Sequence, residues 1–191
     1  MEHITIIQAG TQAHFAALSR IHALSWRAAY RGVIPQAYLV REITEDRWVP
    51  FFREGFRTGA HQGLLLLADG EPVCGGSCGP ARLDAGRDGS LCAFDNRAFS
   101  GWGEIVSLYT LPGETGKGYG GRLLEEMVRR LAGQGCPGCL LYVLEENPGA
   151  RRFYERHGFA WDGARVEVPL PPDTVCTDLR YLRPLAGEGA P

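Results

Sequence analysis

The sequence predicts a single domain of mixed α/β class, and three observations carry that expectation. An apolar strand over residues 103–111 runs through a glycine-rich turn into an amphipathic helix, and a second apolar strand follows over 139–144. Strand, helix, strand makes one right-handed βαβ unit. An Asp69-Gly70 pair between the apolar runs 64–68 and 73–79 signals an antiparallel hairpin. A chain of 191 residues, 45% of them apolar, is long enough for one core and short for two.

The elements follow in order. Residues 3–7 read as a first strand closed by Ala9-Gly10. From 11 to 30, Phe15, Leu18, Ile21, His22, Trp26 and Tyr30 recur near a helical period, which Gly32 and Pro35 end. A second helical piece is expected over 36–43. A third is expected over 44–56, with Thr44 as its N-cap and Trp48, Phe51, Phe52 and Phe56 near one side. Residues 80–101 show little period and read as a loop or lid insert. In the helix after the glycine turn, Tyr119, Leu123, Leu124, Met127, Val128 and Leu131 form an apolar stripe. The strand over 139–144 is apolar on both faces, as a parallel neighbour covered by helices requires. Asn147-Pro148 opens a helix, Asn as cap and Pro where an N–H has no partner, and Gly158 stops it. Two strands over 159–168 and 174–182 are joined by a Pro-rich turn, and residues 185–191 form a frayed tail. The domain is therefore expected over 1–184.

Composition excludes several functions. The net charge of −2, with both signs dispersed, offers no electrostatic footprint for nucleic acid or an anionic membrane. No stretch resembles a signal peptide, and no apolar run approaches the ~20 residues that span a bilayer, so a cytoplasmic protein is expected. The six cysteines lie at 74, 78, 92, 136, 139 and 176. Cys136-Pro-Gly-Cys139 has the spacing of half a zinc site or a redox pair, but no second pair or nearby His completes it. No metal is expected, and the thiols read as buried strand residues.

The segment Gly116-Lys117-Gly118-Tyr119-Gly120-Gly121 makes an anion cradle. Glycines let several backbone N–H groups converge on a phosphate, and the next helix adds its free N-terminal donors and positive dipole end. The ligand is expected to carry a diphosphate. Gly116-x-Gly118-x-x-Gly121 formally satisfies the dinucleotide fingerprint, with Glu145 near the ribose-binding position. Against a dinucleotide, only one helix and two Pro-bounded strands follow Glu146. A P-loop is excluded because Gly118 stands where Ser or Thr belongs and Leu111 where the first Gly belongs.

Three motifs together resemble the GCN5-related N-acetyltransferase superfamily. Thr115-Gly116-Lys117-Gly118-Tyr119-Gly120 is similar to its acyl-CoA loop, with Thr115 where Gln or Arg is usual. The run from Leu144 through Asn147, Phe153-Tyr154 and Gly158-Phe159 resembles its second cofactor motif, and Ser25 to Gly32 with Pro35 resembles its first helix and turn. The resemblance implies an acyl-CoA N-acyltransferase fold: a mixed, mostly antiparallel sheet splayed between two central parallel strands, with helices on both faces. It implies acetyl-CoA as co-substrate, its pantetheine bonded by the backbone of Leu108, Tyr109 and Thr110 and its diphosphate held by residues 116–121. A homodimer is implied by family habit alone.

Acyl transfer to an amine needs a neutral nucleophile, a polarised thioester carbonyl and a proton for the leaving thiolate. Glu104 is the candidate base, taking the amine proton directly or through a water; the competing reading is a solvated strand-end acid. Tyr154 is the candidate acid by resemblance, against plain core packing beside Phe153. Asn147 either bonds the cofactor or only caps its helix. Lys117 either adds charge beside phosphate or is a solvated loop residue. Trp26, Tyr30 and Phe51 are candidate acceptor-pocket residues, though aromatics at helical spacing also make core. The expected function is direct, ternary-complex transfer of acetyl from acetyl-CoA to a primary amine, the acceptor being a small molecule or a peptide N-terminus. A catalytically silent acyl-CoA sensor on the same fold is the alternative, with a dinucleotide-binding protein behind it.

Overall fold

Residues 2–84, 94–170 and 174–185 are described by the computed structural model. The tip of the 80–101 insert, the Pro-rich turn, Cys92 and nearly all of the expected tail lie outside the described residues.

Strand β1 (Ile4–Gln8) leads into helix α1 (Gln12–Ala29), whose cap is Thr11: its Oγ1 accepts the His14 N–H at 3.2 Å. A short α2 (Gln36–Arg41) follows. The third helix starts later than expected, as α3 (Val49–Thr58), and Thr44 does not cap it; the Thr44 hydroxyl donates to Asp46 Oδ1 at 2.7 Å within a turn. Pro50 explains the difference. A helix begun at 44 would hold Pro50 in its interior, where it removes a backbone bond and clashes, whereas the first turn tolerates it.

The hairpin forms as expected from β2 (Gln62–Ala68) and β3 (Glu71–Pro80), turning through Asp69 and Gly70, both at positive φ. Strand β4 (Gly103–Thr110), helix α4 (Tyr119–Gly133) and strand β5 (Gly138–Leu144) form the βαβ unit. Helix α5 (Pro148–Arg156) is capped by Asn147, whose Oδ1 accepts the Ala150 N–H at 3.0 Å. Strands β6 (Ala160–Leu170) and β7 (Thr174–Pro184) complete the described chain.

Among the described residues the strands form one seven-stranded sheet in the order β1-β2-β3-β4-β5-β7-β6. Each pair is antiparallel except β4 with β5. A dinucleotide fold requires a run of parallel strands, so this topology removes that alternative. On one face, Leu123, Leu124, Met127 and Leu131 of α4 pack on Leu64, Leu66 and Leu141. On the other, Phe15, Leu18 and Ile21 of α1 pack on Phe52 and Leu65, and Tyr30, Ile34, Tyr38 and Leu39 pack on Leu144, Val168 and Cys176. The apolar run in β2 thus serves both faces, with successive leucines pointing to opposite sides.

Part of the expected lid insert is core. Phe94 is buried and stacks on Tyr142 at 4.7 Å. Asn96 is fully buried, accepting from the Tyr142 hydroxyl at 2.8 Å and donating to the Arg82 carbonyl at 2.9 Å. Such side-chain contacts carry no sequence period, which is why the segment reads as loop.

The decisive feature lies between β4 and β5. They pair only at Gly103↔Cys139, Glu104↔Leu140 and Ile105↔Leu141. Just beyond Ile105 the β3 register shifts by one at Val106, a bulge, after which β4 pairs with β3 as far as Thr110, while β5 stays with β7 as far as Asp178. Each half of the sheet follows its own partner, and the two strands part.

Candidate active site

The gap between the parted strands opens into a cleft of about 1620 Å³. Its walls are the ends of β4 and β5, its far end is the glycine turn before α4, and α5 closes one side. Pockets for one ligand usually run to 300–1,000 Å³, so this volume accommodates two molecules side by side.

At the turn, Gly116 and Gly118 adopt φ of +82° and +84°, and a Cβ on either would meet nothing within 4 Å. The conformation, not crowding, demands glycine there. Gly118 is the N-cap of α4, with no side-chain cap bond, and no acidic residue occupies the first turn. The first N–H groups of a fifteen-residue helix therefore face the cleft without a side-chain acceptor. Gly120, Gly121 and Tyr119 line the same end, as do Arg122 and Arg156, whose guanidinium groups put positive charge beside it. This donor set fits a diphosphate.

Along β4, Leu108, Tyr109 and Thr110 line the cleft, on the strand edge that has parted from β5. The Thr110 carbonyl also accepts the Ser25 hydroxyl at 2.8 Å, tying α1 to the strand. Asn147 lines the opposite wall while capping α5.

Two expected site residues stand elsewhere. Lys117 does not line the cleft; its Nζ pairs with Glu114 Oε2 at 2.7 Å, an i,i+3 contact across the turn. Glu104 is 1% exposed and absent from the cleft wall. Its carboxylate accepts the Arg82 backbone N–H at 2.9 Å and the Arg82 guanidinium Nε at 3.0 Å and Nη2 at 2.5 Å. The carboxylate is thus held by Arg82 and reaches the cleft only at one remove, its charge acting on the cleft-lining Tyr142.

Trp26, Tyr30 and Phe51 do line the cleft, on the α1 side. Trp26 Nε1 donates to the Tyr109 hydroxyl at 2.8 Å, and Tyr30 packs edge-on against Trp26 at 4.9 Å. His22 and Trp48, which the sequence reading did not single out as site residues, stack at 3.9 Å in the same wall. Burial lowers the His22 imidazole to about 3, so the ring is neutral, and its Nδ1 has no hydrogen-bond partner among the described residues.

The ionisable groups of the cleft converge near the mouth of the splay. Tyr154 on α5 is buried and lies within electrostatic reach of Tyr109 and Cys74; burial first, then these neighbours, raises its phenol above the usual value. Burial likewise pushes Tyr109 up to about 12. Asp178, in register with Leu144, lines the cleft from β7, and burial pushes its carboxyl up to about 6, with Glu146 adding to the rise and Arg82 opposing it. Asp178 escaped sequence reading because one Asp in an alternating strand is ordinarily a solvent-facing residue. No signal short of the strand register distinguishes it.

Among the described residues no group of His, Cys, Asp and Glu is arranged to hold a metal, and no helix is long and apolar enough to cross a membrane.

Comparison with known proteins agrees with the geometry. The acetyltransferase (GNAT) family matches residues 18–159. A mycothiol acetyltransferase of Streptomyces avermitilis is 42% identical over 79 residues, which is 40% of this chain and 26% of that protein. The match thus spans about a quarter of that relative's length. The PaiA N-acetyltransferase of Thermoplasma acidophilum, solved in complex with coenzyme A, superposes with a TM-score of 0.67 at 16% identity, covering 96% of this chain and 99% of that one. YncA of Salmonella typhimurium, solved with acetyl-CoA, gives 0.65 at 21% identity, covering 98% and 97%.

Proposed function

Since the chain belongs to the acetyltransferase (GNAT) family, we propose that it transfers the acetyl group of acetyl-CoA to a primary amine by direct attack within a ternary complex. The observation that carries this reading is the splay itself: two parallel strands paired at three positions, opening on a cleft that ends in an uncapped helix N-terminus. The diphosphate sits at Gly116 to Gly121, where backbone N–H groups and the α4 dipole favour negative charge. The pantetheine amides bond the unpaired edge of β4 near Leu108 and Tyr109, much as a missing strand would. That lays the thioester between the strands, with Tyr154 on one side and the aromatic wall of Trp26, Tyr30 and Phe51 on the other.

The acceptor nitrogen, once neutral, attacks the thioester carbonyl; the C–S bond breaks, the nitrogen gives up its surplus proton to a base in the cleft, and the acetyl group ends on nitrogen as an amide. Tyr154 supplies the proton that the departing thiolate takes. Its raised pKa keeps the phenol protonated until the sulfur asks for that proton. Glu104 serves by holding Arg82 and the strand end in place, not by moving a proton. An acceptor pocket walled by aromatic rings and a neutral imidazole suits an amine on a small or apolar body, and a peptide N-terminus fits the same description.

Thiol release from acetyl-CoA in the presence of a panel of primary amines tests the reading. Turnover with at least one amine, reduced roughly 10²-fold in Tyr154→Phe, is expected. Tight acetyl-CoA binding with no turnover on any amine would instead favour a silent acyl-CoA sensor.

A further inference from the structure

We propose that Asp178 is the group that seats the acceptor's amine and takes its proton, in place of the strand-end Glu104. The inference rests on the acetyl-transfer reading above and deepens it. An acceptor arrives at neutral pH as an ammonium ion, which cannot attack a carbonyl. Something in the cleft must attract the cation and then accept its proton, and a carboxylate does both.

Position comes first. Asp178 sits on β7 opposite Leu144, the last residue of β5, so its backbone is fixed at the point where the two half-sheets are widest apart. It lines the cleft, as do Tyr30 and Val168, and its charge reaches Tyr30. Tyr30 and Tyr109 both feel its charge; Tyr154 acts on Tyr30, and Tyr109 acts on Tyr154. The candidate acid and Asp178 thus flank one space. No hydrogen bond to the Asp178 carboxylate forms among the described residues, a contrast with Glu104, which accepts from Arg82 at several points.

The charged and titratable groups that face Asp178 are consistent with this role. Tyr30 comes from the end of α1, Tyr109 from β4, Glu146 from the segment after β5, Arg82 from the segment after β3, and Cys176 from β7 itself. Tyr30, Tyr109 and Cys176 stay neutral near pH 7, because burial raises all three. Glu146 favours proton uptake by Asp178, and Arg82, which opposes it, is engaged by Glu104. His22 in the same wall is neutral and repels no incoming cation. A carboxyl that titrates near 6 is ionised at neutral pH yet basic enough to accept a proton as the amine's N–C bond forms. In the balanced step one ammonium proton passes to Asp178 and on to solvent, the freed lone pair forms the C–N bond, the re-ionised Asp178 takes the second proton from the now cationic nitrogen, and the sulfur leaves with the C–S electrons and receives the Tyr154 proton. Both groups are then reset by exchange with solvent.

The test combines kinetics with cofactor binding, using 2-phenylethylamine, spermidine, an amino acid and a tripeptide as acceptors. In Asp178→Asn, kcat/KM for the best of these amines should fall at least 10²-fold while the acetyl-CoA Kd stays within twofold of wild type. The wild-type kcat/KM profile should show an ascending limb near pH 6 that the variant lacks, and Asp178→Glu should recover part of the rate. A merely structural Asp178 would, on substitution, raise the acetyl-CoA Kd or lower the melting temperature and leave the limb in place. Turnover by Asp178→Asn at the wild-type rate, with the limb intact, overturns the assignment and leaves acetyl transfer standing. A wild-type protein that binds acetyl-CoA yet acetylates none of the four amines overturns the transfer reading, and the assignment falls with it.

Discussion

Arg82 grips Glu104 twice over, once through its backbone N–H and once through its guanidinium, at 2.9 Å and 2.5 Å. The glutamate is buried and the arginine one-third exposed. Removing one partner of a buried pair leaves the other uncompensated, typically at about 3–5 kcal/mol, and partial exposure of Arg82 reduces that to about 2–3 kcal/mol. For a chain of this size Glu104→Gln should therefore melt roughly 5–10 °C below wild type. Its acetyl-CoA affinity should be unchanged. A variant that melts with wild type but loses the ascending limb of the pH profile would return the base to Glu104.

Asp178 predicts the reverse outcome for stability. Its carboxyl titrates near 6 in the folded protein against 3.8 in the open chain, so the native state holds the proton that the unfolded chain releases. Stability from this group is present below about pH 4 and is lost as pH rises towards 6, a change on the order of 3 kcal/mol. Asp178→Asn carries no such loss and should be more stable than wild type at pH 7.5, with the two converging near pH 4. Thermal melts at the two pH values check this; a variant less stable at pH 7.5 would contradict it.

His22 works with the opposite sign. Its folded-state value near 3 lies below the unfolded 6.5, so its contribution is complete above pH 6.5 and is lost as pH falls from there towards 3. Over that window the loss is on the order of several kcal/mol. His22→Phe keeps the stacking on Trp48 and removes the protonation, so it should flatten the acid limb of a melting-temperature profile. An unchanged acid limb would show that other groups set it.

The glycine turn yields a paired comparison. Gly118 sits at φ +84°, where a Cβ costs about 1–2 kcal/mol, and it presents the first N–H groups of α4. Gly118→Ala should raise the acetyl-CoA Kd tenfold or more. Gly113, three residues before the cradle, has open space around its Cβ position and no positive φ. Gly113→Ala should bind as wild type does, and equal effects from the two would dissociate the turn from the ligand.

Much of this architecture was legible in the sequence because it is written in local chemistry. Asp69-Gly70 turns the hairpin, Asn147-Pro148 starts α5, and the stripe from Tyr119 to Leu131 buries α4. The start of α3 departs from the expected one because the proline at 50 prevails over the N-cap signal at Thr44. The glycine cradle and the aromatic wall reached the cleft because glycine spacing and helical period are one-dimensional patterns. Lys117 and Glu104 did not, since whether a charged side chain turns to a ligand or to a neighbour depends on partners such as Glu114 and Arg82. Asp178 was invisible for a related reason. Its meaning comes from register with β5, from Tyr30 across the cleft and from Glu146 nearby, which no stretch of sequence brings together.

Calorimetric titration of acetyl-CoA into the wild-type protein probes the cleft itself. Saturable one-to-one binding is predicted, weakened at least tenfold by Gly118→Ala and unaffected by Asp178→Asn. A well-folded protein that gives no saturable heat with acetyl-CoA or with free coenzyme A would contradict the account.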